Sequence, residues 1–419
     1  MHFSSSFSRP LTASSMLLLW ELFVPTFLVH LTRGLLLTTL PLYVLTDMQL
    51  SKTHVGIAVG AIGLGKVVTD IPAGYLLDRI GARKLMLVCG LVVSSSAVLM
   101  VVSGSSFALV VAAMFLCGAG EGIGVLSRLS MLTDSVPIDQ RGRVSALLGG
   151  SARIAMAVGP LLSALLTRLG GTEAVFWSQS FLGFLSVVVV YWSSPTEGPA
   201  GSKSGDTVKM SYWTLAKSLF HVSIFILALQ VVRETRKLIF PLAGVAIGLS
   251  PAQVSVFASI SFTLDALLFP FAGKCMDTYG RVFAGVLSVS LMTLAQLLLV
   301  PAVTPMVLGL NAVISGVGNG VSSGIIVAFG ADLAPKDQSK AKFLGSFRLC
   351  ADAGELIGPL LVGLVAQFTS IPTMINVVVT CGVVGVYWLI FFTPETACRK
   401  SSASIELPPI ELGKSRSVI

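Results

Sequence analysis

Gly74-Tyr75-Leu76-Leu77-Asp78-Arg79-Ile80-Gly81-Ala82-Arg83-Lys84 is the stretch that decides the fold. It holds two glycines, three basic residues and one acid, and long apolar runs flank it at 55–77 and 85–102. A bilayer core cannot hydrate exposed backbone or charge, so a polar turn between two hydrophobic helices belongs at a membrane surface. Arg79, Arg83 and Lys84 put that surface on the cytoplasmic side, because short basic loops are retained there.

Composition agrees with this reading. The 419 residues are 54% hydrophobic and 11% charged, with a mean hydropathy of +0.88. A soluble domain carries about 25% charged residues, so the chain is an integral membrane protein. The net charge of +8 is compatible with nucleic-acid binding, but the basic residues outside the apolar runs sit in short loops and tails and read as topology signals. Six Cys and four His show no ligand-type spacing, so no metal site and no cofactor is expected. No grouping of nucleophile, base and orienting residue points to an enzyme.

A membrane-crossing helix needs roughly 20 apolar residues. Twelve such runs occur, at 17–44, 55–77, 85–102, 107–132, 144–166, 175–192, 212–243, 254–275, 282–300, 306–332, 343–366 and 374–392. Residues 193–211 are rich in Gly, Ser and Pro and read as a linker between a bundle at 17–192 and a bundle at 212–394. Residues 1–16 read as a cytoplasmic tail rather than a transit peptide, and 395–419 as a disordered cytoplasmic tail. With both termini inside, eighteen Lys and Arg fall on the cytoplasmic side against two, Lys52 and Arg168, outside. That imbalance sets the orientation.

The two halves repeat. Gly74-x-x-x-Asp78-x-x-Gly81 returns as Gly273-x-x-x-Asp277-x-x-Gly280, and Gly118-x-Gly120-Glu121-Gly122 as Gly316-x-Gly318-Asn319-Gly320. Gly159-Pro160 returns as Gly358-Pro359, and Arg33 with Pro41 as Arg233 with Pro241, always at an offset of about 200 residues. The expected fold is therefore all-α and polytopic: twelve transmembrane helices as two pseudo-symmetric six-helix bundles.

On these features the chain resembles the major facilitator superfamily. Its loop signature, Gly-x-x-x-Asp-Arg-x-Gly-x-Arg-Lys/Arg between helices 2 and 3, matches Gly74, Asp78, Arg79, Gly81, Arg83 and Lys84. The resemblance implies a secondary transporter whose bundles rock about a central cavity lined by helices 1, 4, 7 and 10. It also implies that the loop signature latches the cytoplasmic gate, with Gly273, Asp277 and Gly280 as a weaker second latch, since Thr278 stands where Arg79 does. The Gly-Pro motif of helix 5 is similar to that of the drug:proton antiporters of the superfamily. Gly150, Gly159 and Pro160 keep it, but Ala155 and Ser163 replace preferred glycines, and Met114 stands where such antiporters carry an Arg. Small residues for tight packing explain the same motif.

Fourteen ionisable residues lie well within the runs of helices 1, 2, 4, 5, 7, 8 and 11, away from their ends, and each is expensive there. Lys66 with Asp70, and Arg348 with Asp352, stand four apart and can neutralise each other on one helix face; Glu234 can serve Lys237 in the same way. Arg33 and Arg233 hold equivalent places in the repeat and are expected to face each other across the cavity, an arrangement similar to the organophosphate:phosphate antiporters. Two guanidinium forks suit a carboxylate or phosphate. His30 lies one turn before Arg33. Glu121 and its counterpart Asn319 sit among glycines that leave room for a ligand. Glu121 is a proton-coupling candidate, with an ion pair to Arg33 or Arg153 as the alternative, and Asp265, which stands where Lys66 does in the repeat, is the second candidate.

The sequence thus leads to a proton-coupled transporter of a small organic solute. Its partners are the lipid bilayer, that solute and protons, and it is expected as a monomer, in the plasma membrane, with export favoured by the Gly-Pro motif. Two alternatives stay open: an organic-anion or organophosphate antiporter built on Arg33 and Arg233, and a transporter-like sensor or lipid-handling protein that does not cycle.

Overall fold

Apolar runs in a bilayer must satisfy every backbone group internally, and each described element of the protein is accordingly a helix. The computed structural model describes residues 13–136, 138–193, 212–301, 303–333 and 340–396. The tail before residue 13, most of the linker (194–211) and the tail from 397 lie outside the described residues. The helices are α1 (Ala13–Leu42), α2 (Lys52–Ile80), α3 (Ala82–Val102) and α4 (Phe107–Ser135). Ile138–Trp192 holds two, α5 at 138–169 and α6 at 172–192, parted by non-helical Gly170 and Gly171. Then come α7 (Tyr212–Ala246), α8 (Pro251–Tyr279) and α9 (Arg281–Leu297). Helix α10 is Pro305–Val321, interrupted and resumed as Ile325–Leu333, and α11 (Lys340–Phe368) and α12 (Ile371–Phe392) follow.

Among the described residues, nine spans are long and apolar enough to cross a membrane, the doubled Leu147–Trp192 being one of them. Helix α7 is not among the nine, because its middle carries Arg233, Glu234, Arg236 and Lys237, and α9, though apolar, has only 17 residues. Large apolar side chains such as Ile71, Phe181, Leu165, Phe271 and Tyr387 lie exposed on outer faces, where lipid covers them. The interior is filled by Leu35, Leu36, Leu40, Phe176, Phe225, Phe240 and Phe329.

The sequence repeat reappears as repeated packing. A Cβ on Gly118 would collide with the Ile62 carbonyl of α2, and one on Gly316 with the Ser261 carbonyl of α8. Gly120 lies against Val93 of α3, and Gly318 against Met292 of α9. The glycine runs are therefore seams that let α4 and α10 approach two neighbours each. Between the halves, α2 packs on α11, α5 on α8, and α1 on α7 and α8. Gly56, Gly60 and Gly63 line one face of α2 and rest on the α11 backbone and side chains from Glu355 to Gly363. A Cβ on Gly63 would lie 2.6 Å from the Leu356 nitrogen, and one on Gly56 would lie 2.9 Å from the Gly363 Cα.

The signature loops are tight turns at the other end of α2 and α8. Gly81 (φ +80°) and Gly280 (φ +101°) occupy a backbone region that an L side chain rarely adopts, which explains glycine at both. Arg83 donates to the carbonyls of Val190, Tyr191 and Ser193, holding the C-terminal end of α6, where a cation meets the negative pole of the helix. Gly74 and Gly273 have no atom within 4 Å of an added Cβ, and among the described residues Asp78 and Arg79 make no ion pair. The second loop, expected to be the weaker, is the one with ion pairs. Arg281 reaches Asp277 and Asp332, both at 3.0 Å, and Glu395 accepts the backbone N–H groups of Arg281 and Val282. The backbones of α2 and α11 thus meet closely at the end away from the Gly74–Lys84 turn, and a Cβ on Gly74 would meet nothing within 4 Å.

Candidate functional site

Between the halves lies a cavity of about 310 Å³ lined from α1, α2, α4, α5, α7, α8, α10 and α11. His30, Arg33, Glu121, Arg233, Asp265 and Asn319, all expected from the sequence, line it together, and Lys66, Arg153, Glu234, Arg236, Lys237 and Glu355 join them. The fold brings them to one place because α1, α4, α7 and α10 turn the same repeated positions inward.

Two charge clusters divide the lining. In the first, Arg33 donates to Glu121 Oε2 at 2.7 Å and to Glu355, while Lys66 Nζ stands 2.9 Å from both Glu121 and Glu355. Two cations and two carboxylates from four helices form a neutral square, all four side chains 10–13% exposed. In the second, Asp265 is the single acid. It accepts from Asn319 Nδ2 at 2.6 Å and from Ser323 Oγ at 3.0 Å, and it faces Arg153 at 3.4 Å and Arg236 at 3.6 Å. Arg153 also lies over the Phe269 ring at 4.2 Å, and Arg236 over Phe262 at 4.6 Å. Glu234 pairs with Lys237 at 2.5 Å on α7.

Arg233 stands apart from these pairs. Its guanidinium donates to the Ser322 hydroxyl at 2.9 Å and to Gln230 at 3.3 Å, its Nε has no partner, and among the described residues no acid lies within 4.0 Å of it. Six Lys and Arg line the cavity against four Asp and Glu, and every acid is already paired. The surplus of two positive charges is therefore concentrated around Arg153, Arg233 and Arg236, where only Asp265 opposes them.

Several sequence expectations give way to this geometry. Lys66 does not pair with Asp70 or Asp265: its long side chain reaches the acids of α4 and α11, and Asp70 faces Arg348 at 3.5 Å. Arg348 keeps Asp352 at 3.2 Å as well. Arg33 and Arg233 both line the cavity, but Arg33 is held by two carboxylates, so they do not form one open fork pair. Glu121 takes the ion pair with Arg33, and Asp265 is likewise engaged. His30 Nδ1 donates to the Thr26 carbonyl at 2.8 Å, a bond that turns its other ring nitrogen outward from that carbonyl. Asn319 orients Asp265 through its amide nitrogen, and its Oδ1 is left without a partner.

Two features escaped the sequence reading. Arg236 was detectable as the third ionisable residue of Arg233-Glu234-Thr235-Arg236-Lys237 inside an apolar run. The break of α10 at 322–324 was not, because Ser322 and Ser323 are ordinary in a membrane helix; Gly324 at φ +88° lets the chain turn so that both hydroxyls point at Arg233, Arg153 and Asp265.

Known proteins place this architecture. The chain is 29% identical to the inner membrane transport protein YajR of Escherichia coli K12 over 162 residues, 38% of this chain and 35% of that one. It is 24% identical to the quinolone resistance protein NorA of Staphylococcus aureus over 175 residues, 41% and 43% of the two chains. These matches span less than half of either relative. An MFS-type transporter of Methanocaldococcus jannaschii is 21% identical over 84% of this chain and 92% of its own. The crystal structure of the nucleoside transporter NupG superposes with a TM-score of 0.73 at 14% identity, covering 90% of this chain and all of that one, which shows a shared fold. The family model described as Major Facilitator Superfamily matches residues 22–233 and 235–417, nearly the whole length, and the chain belongs to that superfamily of secondary transporters.

Proposed function

We propose that this transporter carries a small organic anion, with a carboxylate or phosphate group seated between Arg233, Arg153 and Arg236. The observation that carries the reading is Arg233, a part-buried guanidinium lining the cavity without an acid, beside two arginines that share one. A fork of this kind recognises planar or tetrahedral oxyanions bidentately, and an arriving anion meets surplus charge rather than displacing an existing pair. We assign the Gly74–Lys84 end to the cytoplasm from its basic loops. The state described here then faces the cytoplasm, with the seam from Gly56 to Gly63 closing the opposite side.

A second reading, drug export, has the match to the quinolone resistance protein NorA in its favour. For a cationic drug it requires a carboxylate free to meet the cation, and Glu121, Glu234, Asp265 and Glu355 are each committed to Lys or Arg. The discriminating experiment is a thermal-shift screen of purified protein with dicarboxylates, sugar phosphates and cationic dyes, since a true substrate stabilises the folded state by mass action. Stabilisation by anions alone, lost in Arg233→Gln, supports the anion reading. Stabilisation by dyes alone overturns it.

A further inference from the structure

The cavity acids differ in where their partners come from. Glu121 holds Arg33 and Lys66, all within the first half, and Glu234 holds Lys237 on its own helix. Asp265 keeps Arg236, Asn319 and Ser323 of the second half, whether or not Arg153 of the first half stays. Glu355 is the exception: both partners of its carboxylate, Arg33 on α1 and Lys66 on α2, belong to the opposite half. None of the other charged groups on the elements around it is ion-paired with it: on α7, Arg233 bonds Ser322 and Gln230 and Arg236 faces Asp265, and His30 of α1 bonds the Thr26 carbonyl. Asp352 of its own helix and Asp70 of α2 face Arg348; Glu121 of α4 shares Arg33 and Lys66; Glu234 and Lys237 of α7 face each other; Asp332 at the end of α10 pairs with Arg281. Helix α12 carries no charged side chain.

Glu355 also sits at the cavity end of the α2–α11 seam, where Gly63 lies against the Glu355–Leu356 backbone. A transporter that opens its cavity to the far side must part this seam. When it does, Arg33 and Lys66 leave together and retain Glu121, whereas Glu355 keeps none of its present partners. A buried carboxylate without a partner is far more costly than a neutral acid. We propose that Glu355 is the proton-accepting lock of the transport cycle: its carboxylate takes a proton from cavity water as the seam parts, becoming a neutral acid, and returns it as Arg33 and Lys66 close on it again. The ionised form holds the described state and the protonated form releases it. The inference rests on the moving-cavity reading above and not on which anion is carried.

The test is hydrogen exchange measured by mass spectrometry on the full chain in lipid nanodiscs, following peptides that cover 52–63 and 355–368. In the wild type, lowering the pH from about 8 to about 5.5, with intrinsic exchange rates corrected, is expected to speed exchange along the seam about tenfold. Glu355→Gln is expected to exchange fast at both pH values, and Glu121→Gln to keep the pH response. Seam exchange independent of pH in the wild type, or a pH response that survives Glu355→Gln, overturns the proposal. Should Glu355→Gln fail to fold, Glu355→Asp decides: a displaced midpoint of the pH response supports the lock, and an unmoved midpoint overturns it. Anion binding measured on the same samples separates the two claims, because a seam response that tracks Glu355 without binding of any anion sinks the anion reading alone.

Discussion

Arg233→Gln is expected to destroy anion binding while leaving the fold as stable as before. The substitution removes hydrogen bonds to the Ser322 hydroxyl at 2.9 Å, the Ser322 carbonyl at 3.3 Å and Gln230 at 3.3 Å, each worth about 1 kcal/mol net. It also removes a part-buried guanidinium that has no counter-charge, and relief of that desolvation is worth about 2–3 kcal/mol in the opposite direction. The two nearly cancel, so the unliganded melting temperature should stay level or rise. Binding is another matter. Truncating one side of a buried, hydrogen-bonded charge pair costs about 3 kcal/mol, or roughly 150-fold in Kd. The assay is isothermal titration of the purified protein with succinate and glucose 6-phosphate, together with whichever anion the thermal screen ranks first, alongside a melting curve without ligand. A control variant, Arg33→Gln, should behave in the reverse way. It leaves Glu121 and Glu355 to share Lys66, so its melting temperature should fall clearly. If Arg233→Gln binds the anion within about threefold of wild type, or melts as low as Arg33→Gln, the assignment of Arg233 as the free cation is refuted.

Three further outcomes follow from the packing. Glu121→Gln leaves Arg33 and Lys66 with a single carboxylate between them and should cost about 3 kcal/mol, read as a lower midpoint of thermal unfolding in detergent; an unchanged midpoint contradicts the neutral square. Gly118→Ala places a methyl group into the Ile62 carbonyl and should destabilise by about 1–3 kcal/mol. Gly74→Ala, which meets nothing within 4 Å, should melt like wild type and alter only transport rate; equal effects on melting would mean that the α2–α4 seam is not as close as described. Gly324→Ala forces a side chain onto φ +88° at a cost of about 1–2 kcal/mol, and by shifting Ser322 and Ser323 it should weaken anion binding more than Gly273→Ala does. Parallel titrations of the two variants check this.

Much of the architecture was open to inspection in one dimension. The Gly74–Lys84 turn, its copy at Gly273–Gly280 and the matched glycine runs at Gly118 and Gly316 recur at a constant offset, and the structure uses them at equivalent places in each half. Arg33, Glu121, Arg233, Asp265 and Asn319 could be named as cavity residues because a charge or amide inside an apolar run has few other places to go. The partners of those charges could not be named in the same way. Spacing along α2 offered Asp70 to Lys66, yet the acids within reach of its Nζ come from α4 and α11, one fifty-five residues away and the other in the opposite half.

The sequence by itself therefore determined that this is a twinned, helical membrane protein and which ionisable residues its interior must accommodate. Both are consequences of local hydropathy and of repetition, which a chain carries regardless of how it is packed. Only the tertiary structure decided which charges cancel, that Arg233 is left over, and that both ion-pair partners of Glu355 come from the opposite half. Those facts turn on how each helix is rotated about its axis and which faces meet across the cavity, and at distances of about 3 Å a fraction of a turn is enough to exchange one partner for another.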